Sequence, residues 1–264
     1  MLELYHNAFS SCSQKVRLVL AEKGLDWKSH VVDLQSGQQH DPEYVKLNPN
    51  HVVPTLVHDG RVLIESTLVN EYLDDAFPGV PMRPADPVER HAMRLFVKQI
   101  DEKVHPAAGV VTYGIATRPM VLAQPPGQRE KAWSEIPDPA RRAARQSVVE
   151  HGVAAPEMRP AVAAFMALLD RMETALGDGR PWIAGPDFGL ADACALPYVL
   201  RLEHLALDAP IAARPRTADW LARLNARPCY GPAVESQLVE PIVAMFRRNA
   251  EAVRGELEAL VASL

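Results

Sequence analysis

The chain has 264 residues, a formal net charge of −5 at pH 7 and a pI near 6.0. This length can bury a large core and is typical of one large domain or two smaller ones. The acidic balance gives no electrostatic case for binding nucleic acid or an anionic membrane surface. The cysteines, Cys12, Cys194 and Cys229, are widely spaced without a metal-type pairing, which predicts a reducing, cytoplasmic environment.

The amino-terminal segment MLELYHNAF predicts a strand and not a targeting signal, because it has neither a basic region nor a long apolar run. The longest notable uncharged stretch, 104–117, is interrupted by proline and glycine and is shorter than a membrane span requires. We therefore expect a soluble protein.

The first eighty residues change hydrophobic period repeatedly, which predicts mixed helix and strand in the order βαβαββα. Asp59-Gly60 between two apolar runs is typical of a tight hairpin turn. The predicted segments are strand 2–5, helix 13–23, strand 27–34, helix 42–47, strands 55–58 and 61–64, and a helix from Ser66. The predicted buried positions are Val16, Val19 and Leu20 on the first helix, and Leu68, Val69, Tyr72, Leu73 and Ala76 on the last.

A cluster of prolines in PGVPMRPADP predicts a linker at 81–87 that separates domain 1–80 from domain 88–264. The second domain is predicted to be all-helical, because apolar residues recur there at helical spacing. Its predicted helices include 190–205, 216–226 and one from 239 onward. A proline-rich segment, 118–140, is predicted to be a long loop or lid. One helical stripe is Val162, Phe165, Leu169, Met172 and Leu176.

The loop Ser10-Ser11-Cys12-Ser13 lies between the first predicted strand and helix. Unpaired N–H groups at a helix start favour negative charge, so this position suits a thiolate. The βαβαββα order resembles a thioredoxin-like domain, whose redox members carry C-x-x-C here. Ser10 and Ser13 occupy the two cysteine positions, which excludes a dithiol couple at that pair. The remaining role for Ser10 or Ser11 is to donate a hydrogen bond to the thiolate of a bound thiol.

Over essentially its whole length the chain resembles the glutathione S-transferase superfamily. The segments that carry the resemblance are LYHNAFSSCSQKVRLVLAEKG (4–24), LNPNHVVPTL (47–56), ESTLVNEYL (65–73), WIAGPDFGLADAC (182–194) and WLARLNARP (220–228). The SSCS loop is similar to the zeta class, whereas NHVVPTL is similar to delta or theta sequences. The resemblance implies an α/β thioredoxin-like domain that binds glutathione as cosubstrate, an all-α domain, and a homodimer.

The resemblance also implies the glutathione contacts. Ser10 is the first choice for the thiolate donor, with Ser11 as the alternative. Val53-Pro54 is similar to a cis-proline turn whose Val53 main chain pairs with the cysteinyl part, as an added strand would. Glu65 and Ser66 are similar to the pair that holds the γ-glutamyl end, since a helix start suits a carboxylate and Glu65 can receive the ammonium. The alternative for Ser66 is a simple helix cap.

Further contacts are implied at the glycyl end and around the second substrate. His51 is expected to bind the glycyl carboxylate with Gln39 or His40 assisting, and the alternative is a solvated histidine. Asp101 is similar to an acid that reaches glutathione across a dimer, or else is a surface acid. We expect a hydrophobic electrophile to bind between the domains. Its expected pocket residues are Phe9, Val110 and Tyr113, with Ala107, Val111 and Gly114 on the same helix.

Cys12 has two interpretations. In the related reductive dehalogenases a cysteine at this point exchanges disulfides with glutathione, and a first-turn cysteine makes that chemistry feasible. The alternative is a small apolar contact with the sheet. Elsewhere, Gly189 stands where the family often has serine or threonine as a helix cap, so Asp192 is expected to be structural. Val52 stands where zeta sequences commonly have glutamine, which weakens the isomerase assignment.

The leading hypothesis is a cytoplasmic, detoxifying glutathione transferase in which Ser10 stabilises the glutathione thiolate for attack on a hydrophobic electrophile. Alternatives within enzymes are reductive dehalogenation through Cys12, zeta-type isomerisation and β-ether cleavage, because RPADP with the acids at 101–102 is similar to bacterial β-etherases. A noncatalytic binding module is the alternative from a different class. The retained set Ser10, Val53-Pro54 and Glu65-Ser66 favours the enzyme, since a scaffold does not need it.

Overall fold

Four strands form one mixed sheet in the computed structural model, which describes residues 1–264. The strands are β1 (Leu2–His6), β2 (Trp27–Val31), β3 (Thr55–His58) and β4 (Arg61–Leu63), in the spatial order β2-β1-β3-β4. Strand β1 pairs in parallel with β2 and antiparallel with β3, and β3 pairs antiparallel with β4. Asp59 and Gly60 both have positive φ, as the predicted hairpin turn requires. Strand β2 ends at Val31, three residues earlier than predicted, because its pairing with β1 ends at His6.

Three helices complete the predicted βαβαββα order: α1 (Ser11–Glu22), α2 (Pro42–Leu47) and α3 (Ser66–Ala76). The predicted interior residues of α1 are all fully buried. On α3 the prediction is wrong for Leu68 and Ala76, which are exposed. The buried face of α3 follows the spacing i, i+3, i+4, i+7, which puts Leu68 outside it. Its buried residues are Ser66, Val69, Asn70 and Leu73.

The chain beyond the proline cluster is helical, as predicted. Two single π-helical turns, Ile100–Val104 and Thr112–Ala116, flank α5. The predicted apolar stripe from Val162 to Leu176 is entirely buried. The helices are α4 (Pro87–Gln99), α5 (His105–Val111), α6 (Arg118–Ala123), α7 (Pro126–Ser134), α8 (Pro139–His151), α9 (Met158–Ala175), α10 (Leu190–His204), α11 (Asp208–Ala212), α12 (Pro215–Asn225), α13 (Tyr230–Ala233), α14 (Glu240–Glu251) and α15 (Arg254–Ala262).

The proline-rich segment 118–140 is not a loop, so that prediction is wrong. It contains α6, α7 and the start of α8. Pro119, Pro126 and Pro139 each lie in the first turn of one of these helices. A first-turn residue has no intrahelical acceptor for its N–H, and the fixed φ of proline suits a helix start. The prolines therefore begin helices here, whereas the composition suggests that they break them.

The chain forms two compact units that interleave along the sequence. The first contains residues 1–99, 172–197 and 215–238, and the second contains 100–171, 198–214 and 239–264. The division into sequence domains 1–80 and 88–264 stays a prediction. No single helix is long and apolar enough to cross a membrane, and only the bent pair 139–154 and 158–175, with an angle of 83°, meets that criterion jointly.

A buried carboxylate, Asp74, holds the proline linker in the first unit. It accepts hydrogen bonds from Lys23 Nζ at 2.9 Å, from the Met82 N–H at 3.1 Å and from Arg83 Nε at 2.7 Å. Lys23 also donates to the carbonyl oxygen of Val80 at 2.9 Å. The linker is thereby attached to the end of α1 and to α3.

Asp192 organises the start of α10. Its Oδ2 accepts from the Gly189 N–H at 3.0 Å, while Oδ1 accepts from the Ile183 N–H at 3.0 Å and from Trp220 Nε1 at 2.7 Å. This is the reciprocal half of a capping box, with glycine at the cap. A Cβ at Gly189 would lie 2.6 Å from the carbonyl oxygen of Met82. The glycine is therefore required by a close approach of the linker, and Asp192 has the expected structural role.

Replacing Asp192 should destabilise the protein strongly, because Asp192→Ala leaves three buried N–H donors without an acceptor. We expect the free energy of unfolding to fall by about 3 kcal/mol or more, measured by urea denaturation. The matched control is Asp187→Ala on the exposed neighbouring turn, which should change it by less than about 0.5 kcal/mol. Equal effects of the two substitutions would contradict the capping role.

Stability should also depend on the ionisation of Asp192. Burial raises its pKa to about 6 from an ordinary 3.8, so between these values the folded chain binds more protons than the unfolded chain. The stabilisation that comes from protonated Asp192 is complete below about pH 4 and is lost as the pH rises through about 6. Relative to Asp192→Asn, the wild-type free energy of unfolding should therefore fall by about 2 kcal/mol over this range. A pH-independent difference between the two proteins would refute this.

Candidate active site

The loop between β1 and α1 is shaped by Asn7. Its Nδ2 donates to the carbonyl oxygen of Val32 at 3.0 Å, and its Oδ1 accepts from the Phe9 N–H at 3.0 Å. The Asn7 N–H donates to Oγ of the fully buried Ser13 at 3.3 Å. Asn7 was not among the predicted site residues, although an asparagine after a strand is typical of such side-chain-stabilised turns. These bonds set the direction in which the chain enters α1.

Ser10 is the N-cap of α1. Its backbone is extended, and its Oγ accepts from the Ser13 N–H at 3.2 Å. A hydroxyl group that accepts one hydrogen bond still has its own O–H to donate. The first turn of α1 contains no acidic side chain, so no carboxylate lies there to occupy the positive end of the helix. Ser10 is half-buried and can therefore present its O–H to a ligand at the helix start.

Ser11 and Cys12 are the first two residues of α1. Ser11 is buried, whereas Cys12 is half-buried and is not part of a disulfide. The other two thiols, of Cys194 and Cys229, are buried. Burial, together with the nearby Glu22, raises the pKa of Cys229 to about 12. Cys12 is thus the one cysteine whose side chain reaches solvent, which is a condition for thiol chemistry.

The turn before β3 leaves the main chain of Val53 unpaired. The Val53-Pro54 peptide bond is cis, as the resemblance implies. The preceding carbonyl oxygen, of Val52, accepts from Tyr44 Oη at 2.6 Å and from Asn48 Nδ2 at 2.9 Å. In contrast, the N–H and C=O of Val53 have no hydrogen-bond partner. Buried main-chain groups are almost always paired, so an unpaired N–H and C=O on one residue indicate a place for a ligand.

Glu65 and Ser66 lie at the start of α3. Glu65 has φ 67° and ψ 100°, a conformation that few residues other than glycine adopt and that is often retained at functional sites. Its exposed carboxylate accepts from Asn50 Nδ2 at 3.2 Å. Ser66 is the first residue of the helix and is buried. The structure thus adds Asn50, which sequence reasoning missed, as a residue that orients Glu65.

His40 and His51 are brought together. Their Nδ1 atoms are 2.9 Å apart, so one ring donates to the other, and the ring centres are 5.1 Å apart. The neighbouring Gln39 has a buried Oε1 without a hydrogen-bond partner. The three predicted glycyl-end residues therefore lie within one small region. Their side chains offer both donors and an unused acceptor.

The predicted site residues of the second unit lie in three consecutive helical segments. Asp101 lies in the first π-helical turn, Val110 in α5 and Tyr113 in the second π-helical turn. The guanidinium carbon of Arg145 lies 3.0 Å from the centre of the Tyr113 ring, and burial lowers the pKa of Arg145. Asp101, Val110 and Tyr113 are all half-buried, as is the predicted pocket residue Phe9 in the first unit.

Two family models match the chain in order. The glutathione S-transferase N-terminal domain matches residues 9–76, and the glutathione S-transferase C-terminal domain matches residues 138–223. The first match contains the Ser10, Val53 and Glu65 regions described above.

Curated relatives with several activities are similar to the chain. A tetrachloro-p-hydroquinone reductive dehalogenase of Sphingobium chlorophenolicum is 32% identical over 88% of this chain and 95% of the relative. A maleylacetoacetate isomerase of Mus musculus is 28% identical over 78% of this chain and 80% of the relative. The crystal structure of the β-etherase LigF from Sphingobium sp. strain SYK-6 superimposes with a TM-score of 0.77 at 27% identity, covering 89% of this chain and 98% of LigF. Both domain models and a relative matched over nearly its full length show that the chain belongs to the glutathione S-transferase family.

Proposed function

We propose that this protein is a glutathione transferase that activates the thiol of glutathione for attack on a hydrophobic electrophile. The observation that carries the proposal is the unpaired N–H and C=O of Val53. A peptide ligand that is extended beside Val53 would complete both hydrogen bonds, as a strand added to a sheet does. The cysteinyl residue of glutathione is the part of the ligand that we assign to this position.

The two ends of glutathione have matching partners. The γ-glutamyl carboxylate meets the unpaired N–H groups at the start of α3, beside Ser66, and its ammonium group meets the carboxylate of Glu65. Asn50 holds that carboxylate in place. The glycyl carboxylate is assigned to the His40 and His51 pair with Gln39 beside it.

Thiolate formation is assigned to Ser10. A free thiol with a pKa of about 8.5 is only a few per cent ionised at neutral pH, and lowering that pKa by about two units requires roughly 2.7 kcal/mol. One hydrogen bond donated to the charged sulfur and the positive end of α1 supply an amount of this size. Ser11 is the alternative donor. Orientation of the thiolate towards the electrophile provides the rest of the catalysis.

Within the second unit, the half-buried residues Val110 and Tyr113 are proposed to contact the electrophile. The assembly is proposed to be a homodimer in which Asp101 reaches glutathione across the interface. The proposed setting is the cytoplasm, where glutathione is abundant and thiols such as Cys12 stay reduced, and the proposed role is detoxification. A noncatalytic binding module remains the competing class, and the retained Ser10 and Val53 features argue against it.

A second activity, reductive dehalogenation, is favoured by the half-buried thiol of Cys12 in the first turn of α1. In this scheme the Cys12 thiolate takes the glutathionyl group from a substrate conjugate as a mixed disulfide, and the carbon that loses sulfur gains a proton. A second glutathione thiolate then displaces Cys12 and leaves as glutathione disulfide. β-Ether cleavage by glutathione and zeta-type isomerisation remain further variants, and Val52 weakens the latter.

Ser10→Ala should lower kcat/KM at least about 10-fold across a panel of electrophiles, because the thiolate loses its hydrogen-bond donor. Calorimetry should show that glutathione still binds, and the lost cap should cost about 1 kcal/mol of stability. Ser10→Thr keeps the cap and the hydroxyl group and is the matched control that should retain turnover. Unchanged turnover of Ser10→Ala would transfer the role to Ser11 or Cys12, and no heat with millimolar glutathione on the wild type would refute the enzyme itself.

Cys12→Ser separates the two activities. If Cys12 carries the glutathionyl group, the substitution should abolish release of glutathione disulfide from a haloaromatic substrate while leaving conjugation of a simple electrophile within about 2-fold. The measurement is product analysis by mass spectrometry, with Cys194→Ser at a buried thiol as the control. Full dehalogenation by Cys12→Ser would exclude the mechanism through Cys12.

A further inference from the structure

Arg17 is a buried cation under the loop that leads into α1. Only 1% of its surface is exposed. Its guanidinium group donates from Nη1 to the carbonyl oxygen of Asn7 at 3.0 Å, from Nη2 to that of Ala8 at 3.1 Å, and from Nε to that of Ala233 at 2.8 Å. Two of these acceptors belong to the turn that immediately precedes Ser10. Arg17 therefore connects that turn to the end of α13 within the same unit.

No carboxylate accompanies this charge. Every hydrogen-bond partner of Arg17 is a neutral carbonyl or imidazole group, and no acidic side chain is within ion-pair distance. Burial lowers the pKa of Arg17 to about 10, so the group stays positive at neutral pH. A buried cation without a counter-ion costs several kcal/mol, which most proteins avoid by pairing it. An anion bound close to the loop would recover part of that cost.

The neighbouring His6 is arranged to accept from Arg17. Nη1 of Arg17 lies 3.2 Å from His6 Nδ1, and His6 Nε2 lies 2.8 Å from Ser29 Oγ. Since a guanidinium group only donates, Nδ1 is the acceptor and the proton lies on Nε2, which donates to Ser29. Burial and the charge of Arg17 lower the pKa of His6 to about 4, so the imidazole stays neutral. His6 therefore adds no second positive charge beside Arg17.

We infer that Arg17 is a positioning residue for the thiolate site: its guanidinium group holds the Asn7 and Ala8 carbonyl groups of the loop, and its unneutralised charge favours the anionic sulfur held at Ser10. This inference rests on the proposed function and deepens it. The Asn7 carbonyl oxygen also accepts from the Ser10 N–H at 3.3 Å, so Arg17 and Ser10 are hydrogen-bonded to the same peptide group. A cation near a thiolate favours the charged form, so Arg17 lowers the pKa of the bound thiol.

The test measures the pKa of the glutathione thiol when it is bound to the wild type and to two variants. The ultraviolet absorbance of the thiolate, recorded as a function of pH, gives this pKa. Arg17→Met removes the charge and should raise the bound thiol pKa by about one unit, with an approximately 10-fold lower kcat below that pKa. Arg17→Lys keeps the charge but loses the forked set of hydrogen bonds. It should restore most of the lowering of the bound thiol pKa, while KM for glutathione stays above the wild-type value. This split between pKa and KM does not arise from a purely structural role.

Arg227→Met is the matched control. Arg227 also contacts α1 within the first unit, but it pairs with the Glu22 carboxylate at the far end of the helix and packs 4.6 Å over the Phe188 ring. Its loss should lower thermal stability without moving the bound thiol pKa. An equal pKa shift in Arg227→Met, or no shift in Arg17→Met, would overturn the assignment of Arg17.

Alkylation of Cys12 provides a readout that does not need glutathione. Cys12 lies in the first turn of the same helix and reaches solvent, while the other two thiols are buried. The pH midpoint of its reaction with iodoacetamide, located by mass spectrometry, should rise in Arg17→Met and not in Arg227→Met. If the wild type binds no glutathione, the proposed function fails; an unchanged Cys12 midpoint, by contrast, refutes the electrostatic role of Arg17 on its own.

Discussion

The start of α1 is set by two side chains that hold main-chain groups of the preceding turn. The Asn7 side chain accepts from the Phe9 N–H of that turn, and Arg17 donates to the carbonyl oxygens of Asn7 and Ala8. Both kinds of peptide group in this turn are therefore hydrogen-bonded, and Ser10 follows the turn as the N-cap of α1. The chemistry proposed for the loop depends on this constraint, since a misplaced hydroxyl group loses most of its catalytic value.

A similar arrangement recurs at Val53, where side chains occupy one carbonyl group and leave the next residue's main chain unpaired. Recognition through peptide groups places little demand on which side chain occupies the position. Selectivity for the second substrate must then come from side chains in other parts of the chain. Relatives that carry out dehalogenation, isomerisation and ether cleavage on one framework are consistent with this separation of tasks.

Hydrophobic period and turn chemistry were sufficient to predict the order of elements, the positive φ of Asp59 and Gly60, and the buried face of α1. They failed in segment 118–140, where proline composition indicated a loop but proline position began helices. The residues that support the site are not predictable in this way, because their contacts join distant parts of the sequence. Arg17 and Ala233 are 216 positions apart, and the pairing of His40 with His51 and of Asn50 with Glu65 depends on how loops fold back. No local pattern encodes such contacts.

The approach of Met82 to Gly189 has a consequence for recombining members of this family. The Leu190 N–H donates to the Met82 carbonyl oxygen at 2.8 Å, and a side chain at 189 would collide with that same oxygen. The path of the linker and the lack of a side chain at position 189 therefore depend on each other in this chain. In a chimaera with a crossover between residues 82 and 189, a parent with a side chain at position 189 would bring that side chain against this linker. Both positions should therefore come from one protein.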